Sequence, residues 1–190
     1  MGLSNYPRMS YPAAASDLRD FYILAGTAAA TLVGLLFVGL SLHLRTVIAA
    51  TEVRSLARVT LANFGAVLFV SMFMVITEDK SAAALQLIGS GIVSLIITTP
   101  TLVAAGRNQG QTLPMQSRDR ARLVLRFGLS CAGYLAIVAA GVLLLSSLIS
   151  AFAVVLAVAI VVLLVVSLRN TWDLLVTVGE VALGGNQDDG

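Results

Sequence analysis

Residues 127–168 form a run of 42 residues without a formal charge, and this run limits what the chain can fold into more than any other feature. As a single α-helix the run would be about 63 Å long, because each residue adds about 1.5 Å. That is roughly twice the 30 Å thickness of a bilayer core. The run therefore predicts two membrane-spanning helices, at about 123–146 and 149–168. A tight hairpin is expected at the polar cluster inside the run, which consists of Ser146, Ser147 and Ser150.

Three further stretches lack Asp, Glu, Lys and Arg and are long enough to cross the bilayer: residues 21–44, 59–77 and 82–105. In lipid, every backbone polar group must be bonded within the protein, which favours helices. The chain is 58% hydrophobic and only 12% charged, with a mean hydropathy of +0.93. We therefore predict an all-α integral membrane protein, a bundle of about five transmembrane helices with no soluble domain.

The chain divides into two tails and a membrane region. Residues 1–20 are expected to form an N-terminal tail, and the apolar run after them is too long for a signal peptide, so we interpret it as a retained span. The bundle is expected to occupy residues 21–176, because an apolar stripe at helical spacing continues the last helix to 176. Residues 177–190 are expected to form a C-terminal tail.

The basic residues predict the orientation, because loops rich in Lys and Arg remain on the cytoplasmic side. With five spans, nine of the twelve basic residues fall on one face and Arg8, Arg19 and Lys80 fall on the other. We expect the N-terminus outside and the C-terminus in the cytoplasm. A model in which the last apolar run crosses only once would place the C-terminus outside.

The sequence contains no pattern typical of a soluble enzyme or of a metal or cofactor site. One His and one Cys cannot supply a zinc site alone. An intramembrane hydrolase with Ser90 as nucleophile and His43 as base would lack a nearby orienting carboxylate. All ten carboxylates lie outside the central parts of the spans, which argues against a proton-driven carrier. We predict no enzyme activity and no cofactor, and the net charge of +2 does not indicate nucleic-acid binding.

Five polar or helix-bending residues are candidates for a transport pathway. Pro100 cannot donate a hydrogen bond to the carbonyl of Ile96, so a kink is expected there. Freed carbonyls and threonine hydroxyls at such a break sometimes form an ion or substrate site, although neighbouring hydroxyls also satisfy such breaks without one. The candidate pathway or kink residues are Asn63, Thr98, Thr99, Pro100 and Thr101.

Arg118, Arg122 and Arg126 recur at four-residue spacing and would share one face of a helix. Such a stripe is typical of contact with anionic lipids, and it also anchors the cytoplasmic side of a span.

Two stripes of small residues at four-residue spacing predict faces where helices approach closely, either within the bundle or between copies of the chain. They are Gly26, Ala30 and Gly34 in the first span, and Gly128, Ala132, Ala136 and Ala140 in the fourth.

The segments FYILAGTAAATLVGLLFV, from residue 21, and SLRNTWDLLV, from residue 167, resemble a group of small uncharacterised bacterial multi-pass membrane proteins. The resemblance implies no established activity. Together these features predict a bacterial inner-membrane protein of structural, accessory or regulatory type, whose partners are the lipid bilayer and either a second copy or another membrane protein. The alternative is a homo-oligomeric channel or small-solute transporter with a pathway near Thr98 to Thr101.

Overall fold

The computed structural model describes most of the chain. The backbone is described for residues 11–42, 51–77, 79–108 and 117–184. Within these ranges the side chains of residues 14, 15, 51–53, 101–108, 117–127, 177, 178 and 180–184 are outside the description.

The described residues form six helices and no strand. The helices are α1 (Tyr11–Asp17), α2 (Arg19–Leu42), α3 (Thr51–Ile76), α4 (Lys80–Asn108), α5 (Ser117–Leu145) and α6 (Ile149–Gly184). Helices α2 to α6 are each long and apolar enough to cross a membrane. The prediction of an all-α membrane bundle with five spanning helices is therefore confirmed.

Three helices continue past the apolar stretches from which the spans were predicted. Helix α3 begins eight residues before position 59, α5 begins at Ser117, and α6 continues to Gly184. The added turns contain Arg, Leu and Ala, which have high helix propensity and allow a helix to extend out of the bilayer. These extensions all lie at the end of the bundle that carries Arg54, Arg58 and Arg169, which we call the arginine end.

The chain reverses between α5 and α6 at Ser146–Leu148, so we call the opposite end of the bundle the hairpin end. Ser147 has a φ of 62°, the left-handed conformation that usually ends a helix at glycine. The amide of Leu148 donates to the carbonyl of Leu143 at 3.0 Å, and the amide of Ser147 donates to that of Leu144 at 3.1 Å. This is the Schellman arrangement. The turn therefore satisfies the last carbonyls of α5 without Gly or Pro.

Helices α3, α4, α5 and α6 form an antiparallel ring. Each contacts the next along the chain, and α6 closes the ring by packing against α3. Helix α2 lies outside the ring, mainly against α3, with a smaller contact to α6. Helices α3 and α5 consequently lie on a diagonal, so side chains that join them cross the centre of the ring.

Helix α1 covers the hairpin end of the ring. The Tyr11 hydroxyl donates to the carbonyl of Thr77 at 3.1 Å, and its ring lies 6.5 Å from that of Phe152. Burial raises the pKa of the Tyr11 phenol, and the nearby Asp79 carboxylate raises it further. Because the pKa is raised above its usual value of 10, the hydroxyl keeps its proton at neutral pH and the contact persists there.

Two polar contacts fix the start of α4 at the same end. Asp79 accepts a hydrogen bond from the amide of Ala82 at 2.9 Å, which makes it the N-cap of the helix. The Lys80 ammonium donates to the Ser147 hydroxyl at 2.7 Å and so joins α4 to the hairpin. These contacts tie the loop before α4 to the loop after α5.

Candidate functional site

Three hydrogen-bonding side chains cross the centre of the ring between α3 and α5. The Asn63 amide nitrogen donates to the Ser130 hydroxyl at 3.0 Å, and the Tyr134 hydroxyl donates to the Asn63 amide oxygen at 2.5 Å. All three residues are completely buried. Ser130 and Tyr134 are four residues apart, so one face of α5 presents both hydroxyls to a single amide.

Helix α4 adds a fourth polar group at this level. Thr98 is 1% exposed and its side chain lies beside the Tyr134 hydroxyl. Its own hydroxyl has no hydrogen-bond partner in the described part of the chain. The Thr98 hydroxyl therefore lies near that of Tyr134 but outside hydrogen-bond geometry with it.

Helix α6 contributes a fifth polar residue at this level, Ser167. A Cβ added at Gly133 would lie 2.7 Å from the Leu163 side chain, so Gly133 and Leu163 are in close contact. This contact fixes how α5 is aligned along α6. Ser130 is three residues before Gly133 and Ser167 is four after Leu163, and the two helices are antiparallel. Both serines therefore lie within about one turn of the same level. Ser167 is completely buried and its hydroxyl has no partner among the described residues.

We call these five residues the polar belt. They are Asn63, Thr98, Ser130, Tyr134 and Ser167, and each of the four ring helices contributes at least one. The belt has no formally charged side chain. It can exchange hydrogen bonds with a neutral polar group or present oxygen atoms to a cation, but it offers neither a strong nucleophile nor a general base.

The interior differs on the two sides of the belt. Toward the hairpin end the ring is filled mainly by apolar side chains, among them Val67, Val70, Met74, Leu87, Ile137, Leu144, Leu156 and Ile160. The buried Ser94 on this side donates its hydroxyl to the carbonyl of Ser90 in its own helix. Toward the arginine end, buried polar residues continue with Thr60, Asn170 and Thr171. The polar part of the interior is thus nearer to the arginine end of the bundle.

Two buried polar groups on the hairpin side belong to the contact of α2 with the ring. A Cβ added at Gly26 would lie 3.1 Å from the Cβ of Ser71, so α2 approaches α3 closely there. The hydroxyls of Ser71 and Tyr22 have no partner in the part of the chain that the structure describes. They lie outside the belt and do not extend it.

The predicted pathway residues do not all face the same way. Asn63 and Thr98 lie in the belt, whereas Thr99 and Pro100 are exposed on the outer surface of the bundle. The Thr99 hydroxyl donates to the carbonyl of Leu95 at 2.6 Å, within its own helix. The side chain of Thr101 lies outside the described set. Helix α4 continues through Pro100, and the kink expected there stays a prediction.

The backbone of the three candidate lipid-binding arginines is described and helical, whereas their side chains are not described. Arg118, Arg122 and Arg126 all belong to α5, so their four-residue spacing does place them on one helical face. Their contact with lipid stays a prediction. His43, considered for hydrolysis, lies outside the described residues.

The small-residue stripes are divided between the interior and the surface. In α2, Gly26 contacts α3, whereas Ala30 and Gly34 are exposed. In α5, Ala140 is completely buried and Ala136 packs against the core. Gly128 and Ala132 are exposed. Some residues of each stripe therefore pack within the bundle. For the exposed residues, a role in association between copies stays a prediction.

The closest approach between ring helices uses glycines outside those stripes. A Cβ at Gly91 would lie 2.5 Å from the Val138 side chain and 3.0 Å from the Tyr134 carbonyl oxygen. A Cβ at Gly141 would lie 2.9 Å from the Ala84 carbonyl oxygen. These two glycines bring α4 and α5 together, and a search limited to four-residue repeats does not find them.

The described residues contain no group of three His, Cys, Asp or Glu side chains suited to hold a metal. No family model matches the chain, and no curated protein or solved structure matches it. The resemblance in the first span and near the end of the chain stays a prediction.

Proposed function

We propose that the chain is a structural or accessory component of a bacterial cytoplasmic membrane, with no catalytic activity of its own. The observation that carries this proposal is the set of hydrogen bonds among three of the five belt residues. Asn63, Ser130 and Tyr134 bond to one another across the ring and are completely buried. Polar groups satisfied in this way hold helices together in lipid, where no water competes for them.

The apolar half of the ring supports the same proposal. A conducting path needs polar groups or water along its whole length. Between the belt and the hairpin end, the ring is filled with Val, Leu, Ile and Met side chains. This packing favours a bundle that holds its shape and presents its outer surface to lipid and to other membrane proteins.

The second candidate function is transport of an ion or a small polar solute. It is favoured by one observation, which is that Thr98 and Ser167 bring unpaired hydroxyls to the same level as Asn63. Binding sites of many carriers lie near the middle of the membrane between packed helices. For transport, the apolar half of the ring would have to open.

Flux measurements separate the two proposals. We expect proteoliposomes containing the full chain to pass Na⁺, K⁺ and small neutral solutes no faster than empty liposomes. Selective flux that Asn63→Leu abolishes would instead establish transport through the belt. Leu35→Ala is a suitable control, because Leu35 is exposed on α2, outside the ring.

The proposed orientation places the arginine end in the cytoplasm. Arg54, Arg58 and Arg169 are exposed at that end, and Arg19 and Lys80 lie at the hairpin end. This distribution supports an external N-terminus and a cytoplasmic C-terminus.

A reporter that is active only in the cytoplasm tests the orientation. Fused after Gly190 it should be active, and fused within the hairpin after Ser147 it should be inactive. An inactive fusion at Gly190 together with an active one at Ser147 would reverse the proposed orientation.

A further inference from the structure

A strip on the outer surface of α3 leads from two arginines to apolar side chains. Arg54 and Arg58 are exposed one turn apart at the arginine end. Leu61 follows three residues after Arg58, so the two side chains are neighbours on one face of the helix. Leu61 and Gly65 each lie two residues from Asn63, which is about 200° around the helix axis. Because Asn63 points to the centre of the ring, this strip faces outward. We call Arg54, Arg58, Leu61, Gly65 and Phe69 the outer strip.

The two arginines of the outer strip lie at the depth of lipid headgroups. Helix α3 rises about 28 Å from Arg58 to Thr77, which is close to the roughly 30 Å thickness of a bilayer core. Lys80 follows shortly after Thr77 and marks the opposite boundary. Arg58 therefore lies where the hydrocarbon ends, and Arg54 lies about 6 Å further out, among the headgroups.

No described carboxylate shares the outer face of α3 with these arginines. The structure describes the side chains of four carboxylates, of which three lie at the hairpin end. The fourth, Asp173, is on α6, and its Oδ2 atom is buried. The guanidinium groups of Arg54 and Arg58 can therefore bind an anion from outside the bundle. Guanidinium groups bind phosphate through paired N–H donors.

A notch in the outer strip follows the arginines toward the middle of the membrane. Gly65 has open space around its Cβ position. The apolar side chains on both sides of it are exposed, Leu61 by 37% and Phe69 by 52%. These three residues are spaced four apart, so they share one face of α3. Gly65 lies about 10 Å from Arg58 along the helix, within the 15 Å or so that the acyl chains of one leaflet fill.

We propose that the outer strip binds one anionic phospholipid of the leaflet at the arginine end. Arg54 and Arg58 hold its phosphate, and one acyl chain lies in the notch at Gly65. Charge complementarity selects an anionic headgroup, because two positive groups meet the headgroup region together. A zwitterionic headgroup carries its own cation, which the two arginines repel. The outer strip and the polar belt lie on opposite sides of α3, so this inference does not depend on the proposed structural role.

Native mass spectrometry of the full chain in detergent tests the proposal. The chain is titrated with phosphatidylglycerol or with phosphatidylcholine that has the same acyl chains, and the Kd of the first bound lipid is measured. An arginine near an anionic headgroup strengthens binding about fivefold, so we expect a Kd for phosphatidylglycerol that is about 10- to 25-fold lower. Equal Kd values would overturn the proposal. Displacement of the lipid by inorganic phosphate at constant ionic strength would also overturn it, because it would assign free phosphate to the arginines.

A pair of charge variants locates the headgroup. Arg58→Gln should raise the Kd for phosphatidylglycerol about fivefold. Arg169→Gln is the matched control, because it removes the same charge from an exposed position at the same end, but on α6. It should change the Kd less than about twofold. Equal losses in the two variants would show that net charge selects the lipid and would contradict a site on the outer strip.

A pair of leucine variants locates the acyl chain. Gly65→Leu fills the notch without changing the charge and should raise the Kd for phosphatidylglycerol. Gly89→Leu is the matched control, because Gly89 is exposed on α4 and also has open space around its Cβ position. It should leave the Kd unchanged. If both leucines had the same effect, the acyl chain would not lie at Gly65.

Discussion

Replacing Gly91 by alanine should lower the free energy of unfolding by about 1–3 kcal/mol, the usual cost of adding a methyl group to a packed interior. The new Cβ would lie 2.5 Å from the Val138 side chain and 3.0 Å from the Tyr134 carbonyl oxygen. Backbone oxygen cannot rotate away, so α4 and α5 would have to move apart. These helices share the most extensive contact in the bundle.

Gly89→Ala is the matched control, two residues away in the same helix. Gly89 is exposed and has no atom within 4 Å of its Cβ position. Alanine there should be neutral or stabilising by up to about 1 kcal/mol, because it restricts the unfolded chain. The measurement is reversible unfolding by SDS in mixed micelles, followed by circular dichroism. Equal stabilities of the two variants would contradict the close approach at Gly91.

Gly141→Ala should resemble Gly91→Ala, because a Cβ at Gly141 would lie 2.9 Å from the Ala84 carbonyl oxygen on the opposite helix. The Gly91→Ala and Gly141→Ala changes press on the same interface. Once α4 and α5 have moved apart to accommodate one alanine, the second alanine lowers the free energy of unfolding by less. The double variant should therefore lose less stability than the sum of the single losses.

The five spans could be predicted because the bilayer imposes both a length and an absence of charge on each of them. Residues 127–168 are too long for one crossing, and the helical hairpin at Ser146–Leu148 divides them. The conformation of this turn could not be predicted. Serine seldom adopts a positive φ, and the Ser147 turn depends on hydrogen bonds to Leu143 and Leu144 that the sequence pattern does not reveal.

The belt was predicted in part. Asn63 and Thr98 were candidates as polar residues in apolar spans, whereas Ser130, Tyr134 and Ser167 were missed. A tyrosine or serine in a span is common. Only the register between helices brings Ser130 and Tyr134 to Asn63 and places Ser167 at about the same level. That register depends on contacts such as Gly133 with Leu163, between residues 30 positions apart. Neither hydropathy nor helical spacing contains this information.

The same limit applies to the four residues around Pro100. The sequence places Thr98, Thr99, Pro100 and Thr101 together, but successive residues on a helix point in directions about 100° apart. Adjacent residues therefore cannot all point at the centre of the ring. In α4, Thr98 is buried, whereas Thr99 is exposed and satisfies its hydroxyl within its own helix.

Replacing Asn63 by leucine should lower the free energy of unfolding by about 2 kcal/mol. Leucine has a similar volume, so the loss comes from the two hydrogen bonds with Ser130 and Tyr134. Each group left unpaired in the interior costs about 1–3 kcal/mol in soluble proteins. Hydrogen bonds between membrane helices are worth less, about 0.6 kcal/mol on average, which sets the lower end of the expected loss.

A double-mutant cycle with Tyr134→Phe isolates the bond across the ring. Alone, Tyr134→Phe should cost about 1 kcal/mol, but in the Asn63→Leu background it should cost nothing, because the hydroxyl it removes has already lost its acceptor. Tyr22→Phe is the matched control. Tyr22 is also 1% exposed, but its hydroxyl has no partner in the described part of the chain, so its removal should be neutral or stabilising. If Tyr134→Phe and Tyr22→Phe changed stability equally, the Tyr134 hydroxyl would contribute no bond and the belt would not hold α3 to α5.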